Sequence, residues 1–187
     1  MTIRAIVLLA ALAALTSCSH NREIFRDPNM DFGTIQTIAV MPLANQSRDQ
    51  SAGDRVRDVF INKLLATGGV YVLPIGEVRR GTMRAGIADP TTPSAEDVVK
   101  FSGIVKSDAV ITGSVKEYGD VRSGSALSSV IAISMQMFET QTGRVVWSAS
   151  STKGGVSFTD RLFGGGGEPM DDITEKAVND IIQKLFK

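Results

Sequence analysis

The hydrophobic residues of this chain repeat with two different periods, and each change of period marks a predicted element. Alternating or β-branched apolar runs predict five strands, at residues 35–43, 70–73, 108–118, 129–139 and 144–152. Apolar residues three and four positions apart predict four helices, which begin after Ser51, at Ile75, after Ser94 and near Met170. This order of elements predicts an α/β fold, in which a mixed sheet of about five strands packs against helices.

Residues at the ends of these elements support the prediction. Gly68 and Gly86 stand where helix C-termini need a left-handed residue, and Ser94 with Asp97 resembles a capping box. Residues 119–128 and 140–143 are short enough to be the linkers of an antiparallel meander. Three large residues at strand spacing are expected in the core, namely Met135, Met137 and Trp147.

The first residues of the chain have the pattern of a secretory signal peptide. Arg4 precedes an uncharged apolar segment, residues 5–15, which rises only about 16 Å as a helix and is too short to cross a bilayer. The run Leu15-Thr16-Ser17-Cys18 resembles a bacterial lipobox, in which the signal (residues 1–17) is removed and the cysteine is acylated. By that resemblance, Ser19 indicates the outer membrane. An ordinary signal peptide with an incidental cysteine is the alternative.

The segment after Cys18 is expected to be a flexible tether. Residues 19–33 are polar, contain a proline and show no sustained period. Fully extended, they would reach at most about 50 Å. We therefore predict a lipidated cysteine and tether at residues 18–33, and a single periplasmic domain at residues 34–187.

Composition and residue types argue against nucleic-acid binding and catalysis. Basic and acidic side chains are equal in number, twenty of each, so no basic surface for nucleic acid is expected. The only histidine, His20, lies in the predicted tether, which disfavours histidine-dependent triads and metal sites. Four scattered carboxylates are expected to be helix caps or solvated surface rather than an acid/base pair, namely Glu77, Glu96, Asp97 and Glu117. We predict no enzyme activity, no metal and no cofactor other than the covalent lipid.

A glycine-rich run near the C-terminus raises two further questions. Residues 164–167 are all glycine but continue as Glu168-Pro169, without the Lys-Ser/Thr of a phosphate loop, which favours a connector. The preceding segment has large apolar residues beside this backbone freedom, which is typical of a partner-binding loop or of a small cluster folded back on the sheet. The candidate partner-binding residues are Phe158, Arg161, Leu162 and Phe163. Three arginines around the second helix are expected on a solvated face rather than in an anion or partner site, namely Arg79, Arg80 and Arg84.

Three phrases of the sequence resemble the periplasmic domain shared by CsgG, the curli secretion lipoprotein, and LpoB, the lipoprotein activator of a penicillin-binding protein. The phrases are IQTIAVMPLANQS at 35–47, DAVITGSVKEY at 108–118 and TGRVVWSAS at 142–150. The N-terminal domain of TolB is similar in fold. The resemblance implies an outer-membrane lipoprotein whose partners are other envelope proteins or further copies of itself.

Two departures from these families limit what the resemblance implies. The segments 119–128 and 154–169 correspond to the pore-forming hairpins of CsgG, but they are too short, too charged or too glycine-rich to span a bilayer. The predicted tether is also short for LpoB, which reaches across the cell wall. The predicted function is therefore a non-enzymatic protein-interaction domain for envelope assembly or secretion, without pore hairpins. The alternative is an LpoB-like regulator of a peptidoglycan synthase.

Overall fold

The computed structural model describes residues 24–123, 126–154 and 168–186, without the side chains of residues 123, 126 and 127. This part of the chain contains seven strands, four α-helices and one short 3₁₀ helix at Phe32–Thr34. The strands are β1 (Ile24–Arg26), β2 (Thr37–Val40), β3 (Ala44–Asn45), β4 (Tyr71–Val72), β5 (Ala109–Ser123), β6 (Ala126–Glu139) and β7 (Val145–Gly154). The helices are α1 (Ala52–Ala66), α2 (Ile75–Ala85), α3 (Ala95–Val105) and α4 (Met170–Phe186). None of these four helices is long and apolar enough to cross a membrane.

The strands form one mixed sheet in the order β1-β7-β6-β5-β2-β4, and β3 continues the line of β2 along β5. The strands β2, β3 and β4 pair in parallel, while β1, β6 and β7 pair antiparallel with their neighbours. The predicted α/β class is confirmed. The sheet has seven strands rather than about five, because β3 follows the first predicted strand after Pro42 and because β1 was not expected.

Helices cover both faces of the sheet. The larger core cluster joins α1 and α4 to one face, where Phe60, Trp147 and Ile173 are fully buried. The smaller cluster joins α2 and α3 to the other face through Val78, Phe101 and their neighbours. Trp147, Met135 and Met137 are core residues, as the sequence predicts.

The predicted helix ends are confirmed by the backbone. The Ser94 side chain accepts from the Asp97 N–H and the Asp97 side chain accepts from the Ser94 N–H, so the capping box at the start of α3 is complete. Gly68 and Gly86 both have positive φ, as their positions after α1 and α2 require.

The prediction of a linker at residues 119–128 is wrong. Paired residues run from Gly119 opposite Val130 to Ser123 opposite Ala126, so β5 and β6 continue as a hairpin through most of this segment. Its glycines and serines resemble turn residues, but the hydrogen bonds of the ladder are made by the backbone, and Gly119 lies within the strand at φ 137°, a conformation that glycine adopts readily. We call residues 119–123 and 126–129 the arm, because they extend past the level at which β6 meets the end of β7.

A buried arginine completes the sheet where β4 ends. The N–H groups of Tyr71 and Leu73 donate to Gln36 O and Ile38 O, but the next donor, Ile75, already belongs to α2. The Arg57 side chain, which is 6% exposed, donates instead to Val40 O through Nε at 3.2 Å and Nη2 at 2.5 Å. Burial lowers the pKa of Arg57, and the nearby Asp54 and Asp58 oppose that shift. Arg57 stays charged.

We predict that Arg57→Met destabilises the domain by about 2–3 kcal/mol, because Val40 O then loses a charged donor inside the protein. The matched control is Arg55→Met, which changes an exposed arginine of the same helix and should alter stability by no more than about 0.5 kcal/mol. Urea denaturation at neutral pH measures both. Equal stability of the two variants would contradict the role given to Arg57.

Candidate functional site

The segment that precedes β2 is folded onto the sheet, although residues 24–33 were expected in the tether. Ile24, Phe25 and Arg26 pair antiparallel with Ala149, Ser148 and Trp147 of β7. The Asp27 N–H extends the pairing, because it donates to Val146 O at 2.8 Å. Residues 24–34, which we call the docked segment, therefore belong to the domain.

Arg26 ties the docked segment to the end of α4. A helix leaves its last carbonyls without partners inside the helix, and buried ones need other donors. Arg26 Nη1 donates to Leu185 O at 2.9 Å, and Trp147 Nε1 donates to Lys184 O at 3.2 Å. The Arg26 guanidinium also lies 3.8 Å from the centre of the Phe32 ring. The Arg26 side chain thus connects β1 to the end of α4 and to Phe32.

Short polar turns lead the chain from β1 to β2. The Asp27 carboxylate accepts from the Asn29 N–H at 2.9 Å, and the Asp31 carboxylate accepts from the Gly33 N–H at 2.9 Å. Such side-chain turns are typical of Asp followed two residues later by Asn or Gly. They were the signal in the sequence that this segment is ordered, whereas the strand itself is too short to be predicted from periodicity.

An acidic cleft of about 530 Å³ lies beside these turns. Its carboxylates belong to Asp27, Asp31, Asp108 and Glu139, and each accepts from backbone N–H groups. Among the described residues, no three His, Cys, Asp or Glu side chains are grouped so that they could share a metal ion. Through the hydrogen bonds that they accept, these carboxylates hold turns and strand ends in place.

Glu139 shows why the cleft is poorly suited to acid catalysis. Burial raises the pKa of this carboxyl, but hydrogen bonds from Thr142 and Gln141 and the charge of Arg144 outweigh burial and leave the pKa below its usual value. A general acid at neutral pH needs a raised pKa. Glu139 is therefore ionised, and its carboxylate accepts hydrogen bonds from Gln141 and Thr142 of the turn that follows it.

A second groove, of about 310 Å³, crosses the polar face of the sheet. The sequence between α2 and α3 forms one wall, and the floor comes from β5 and β6. Its lining includes Thr91, Pro93, Gly113, Ser134, Gln136 and Phe138, and contains no ionisable side chain. The groove offers hydrogen bonds and a flat surface, but no acid, base or charged nucleophile.

Exposed apolar residues lie at both edges of the sheet. On β1, Ile24 is 37% exposed and Phe25 is 48% exposed; on β4, at the far edge, Tyr71 is 56% exposed. The helix α2, which follows β4, exposes Ile75 and Met83, and its Arg79, Arg80 and Arg84 are exposed too. We call Tyr71, Ile75 and Met83 the far patch.

The site residues predicted from sequence fall outside the described residues. These are Leu15, Thr16, Ser17 and Cys18 of the lipobox and Phe158, Arg161, Leu162 and Phe163 of the loop. The four carboxylates weighed as an acid/base pair do lie within the described part, on α2, α3 and β5. Asp97 serves the capping box, and Glu77, Glu96 and Glu117 are exposed.

Comparisons with known proteins give relatives for this fold. The chain is 27% identical over 151 residues to a Neisseria meningitidis serogroup B protein named "Putative lipoprotein NMB1124/NMB1162", covering 77% of this chain and 67% of the relative. Among solved structures, it is similar to the PelC dodecamer from Paraburkholderia phytofirmans, with TM-score 0.56, 16% identity, and coverage of 87% and 94% of the two chains. It is also similar to the LpoB C-terminal domain from Salmonella enterica, with TM-score 0.52, 15% identity, and coverage of 68% and 87%.

At these identities the two structures show a common fold and no more. They support the LpoB side of the resemblance drawn from sequence, while the CsgG side gains no specific support. A family model described as "Putative lipoprotein GNA1162-like" matches residues 32–185, which is most of the folded domain. The chain belongs to this GNA1162-like lipoprotein family.

Proposed function

We propose that this protein is an outer-membrane lipoprotein, anchored through Cys18, whose domain binds envelope proteins or further copies of itself close to the membrane without catalysing a reaction. The observation that carries the proposal is the docked segment. Because the sheet begins at Ile24, only residues 19–23 separate it from Cys18. The six backbone steps from Cys18 to Ile24 span at most about 20 Å.

This short reach favours a partner at the outer membrane. A regulator of an inner-membrane peptidoglycan synthase has to cross the cell-wall layer, and about 20 Å of chain is too little for that. The synthase-regulator alternative therefore has less support than it had with a tether of about 50 Å.

The chemistry of the described surfaces supports binding rather than catalysis. The carboxylates of the acidic cleft accept from backbone N–H groups, and the groove on the polar face contains no ionisable side chain. The far patch exposes apolar groups, and α2, which carries two of them, also exposes three arginines; apolar groups and arginines are both common at protein interfaces. The PelC protein of similar fold is a dodecamer, so association of several copies is one form that the binding can take.

We predict that Cys18→Ala removes the protein from the outer-membrane fraction, because the acylated residue is lost. His20→Ala, which changes a residue outside the lipobox, is the control and should leave the distribution unchanged. Immunoblots of separated inner-membrane, outer-membrane and soluble fractions measure the effect. A Cys18→Ala variant that still fractionates with the outer membrane would show that lipid does not hold the protein there.

Photo-crosslinking in intact cells tests the binding role. With a photoreactive amino acid at Met83 of the far patch or at Phe163 of the predicted loop, we expect covalent adducts with outer-membrane or periplasmic proteins, or with a second copy. Asp54, which is exposed on α1, is the control position and should give few adducts. Adducts mainly with an inner-membrane synthase would favour the alternative function. No adducts, together with a strict monomer by native mass spectrometry, would contradict the proposal.

A further inference from the structure

The path of the chain between Cys18 and β1 limits how the domain can lie on the membrane. We propose that the β1 edge of the sheet faces the bilayer, with Ile24 and Phe25 in its headgroup region, while the far patch faces away. This inference rests on the proposed lipid anchor at Cys18. The occupant of the β1 edge is thus the surface of the membrane that the lipid enters.

Strand register measures how far the arm extends past the start of β1. Ile24 lies opposite Ala149, and β7 continues for five more residues to Gly154, which is about 17 Å of strand. Gly154 lies opposite Val130, and the arm continues from there to Ala126, which adds about 14 Å. The arm therefore ends about 30 Å beyond Ile24 along the strand direction.

An orientation with the arm pointing straight into the membrane does not fit these lengths. Cys18 lies at most about 20 Å from Ile24, so the arm would pass roughly 10 Å below the level of the anchor residue. The arm carries an exposed charged residue, Arg122, about 27 Å beyond Ile24 along the strands, which would lie below the level of the anchor and is costly in hydrocarbon. A two-stranded hairpin also has backbone groups on its outer edges that cannot be left unpaired there.

The opposite orientation requires the chain to reverse. In β1 the chain runs from Ile24 towards Arg26, away from the end where the arm lies. Ile24 therefore lies at the end of β1 nearest the arm, and residues 19–23 could reach the opposite end of the sheet only by reversing direction. Turning back towards the acidic cleft would use about half of these five residues in the turn itself. The remaining residues could not extend past the end of the sheet.

A sheet lying with its β1 edge towards the membrane satisfies both the limit set by the length of the arm and the limit set by the reach of residues 19–23. Cys18 is then near the bilayer surface without a turn, and the arm runs along that surface. This edge exposes Ile24 on the face shared with α4 and Phe25 on the opposite face, as their partners Ala149 and Ser148 require. Apolar side chains at the headgroup level add to the binding that the lipid provides. Tyr71 of the far patch lies on β4, five strand positions away and about 24 Å across the sheet, where it is open to a partner.

Spin labels on the full-length lipidated protein test this orientation. Cys18 is the only cysteine, and acylation occupies its thiol, so an introduced cysteine is the single labelling site. Phe25→Cys reports the β1 edge, Val121→Cys reports the arm, and Tyr71→Cys is the control on the far edge. Each labelled protein is bound to vesicles of phosphatidylethanolamine and phosphatidylglycerol. Collisions of the label with oxygen, which enters the bilayer, are then compared with collisions with a water-soluble nickel complex.

The inference predicts that the ratio of oxygen to nickel collisions is at least about threefold higher at position 25 than at position 71. An Ile24→Cys label repeats the measurement, and circular dichroism verifies that each variant is folded. A vesicle-bound protein with equal ratios at positions 25 and 71, or with the highest ratio at position 121, would overturn this orientation while leaving the anchor in place. A lipidated protein that does not float with the vesicles would overturn the anchor and the orientation together.

Discussion

The pairing of β1 with β7 determines where the rest of the domain can lie relative to Cys18. Three residues of strand, one further backbone bond from Asp27 and the contacts of Arg26 hold the docked segment to the sheet and to α4. In the proposed lipoprotein, a lipid on Cys18 would act on the folded domain through a very short length of chain. The proposed distance to the membrane, the proposed membrane-facing edge and the proposed range of partners all depend on this one attachment.

The same attachment explains how the polar residues near it are used. The Asp and Glu side chains around the acidic cleft hold the turns that bring the chain from β1 into β2 and from β6 into β7. Burial raises the pKa of Glu139, but the hydrogen bonds from Thr142 and Gln141 and the charge of Arg144 hold it below its usual value, which suits a scaffold and disfavours proton transfer. Among the described residues, the apolar edges and the polar, uncharged groove are surfaces suited to contact with lipids and proteins.

The sequence predicts the fold class and the helices well, and the docked segment poorly. The bounds of α2 and α4 follow from the spacing of their apolar residues, and the capping box of α3 follows from two residues. Strand extent in the arm could not be predicted, because the backbone ladder continues through Gly119 and several serines that are typical of turns. The strand β1 is only three residues long, so no period can reveal it. Its partner Trp147 and the acceptor Leu185 are more than a hundred residues away in sequence.

Hydrogen exchange at the Asp27 amide is the most direct test of this account, because that N–H donates to Val146 O and marks the end of the pairing between β1 and β7. In the full-length protein, the account predicts exchange at least about a hundredfold slower than that of an unprotected amide. It also predicts that Arg26→Ala makes this amide exchange faster while amides in the centre of β6 are unchanged. Exchange of the Asp27 amide at the unprotected rate would show that the tether extends into the docked segment, and would contradict the central claim.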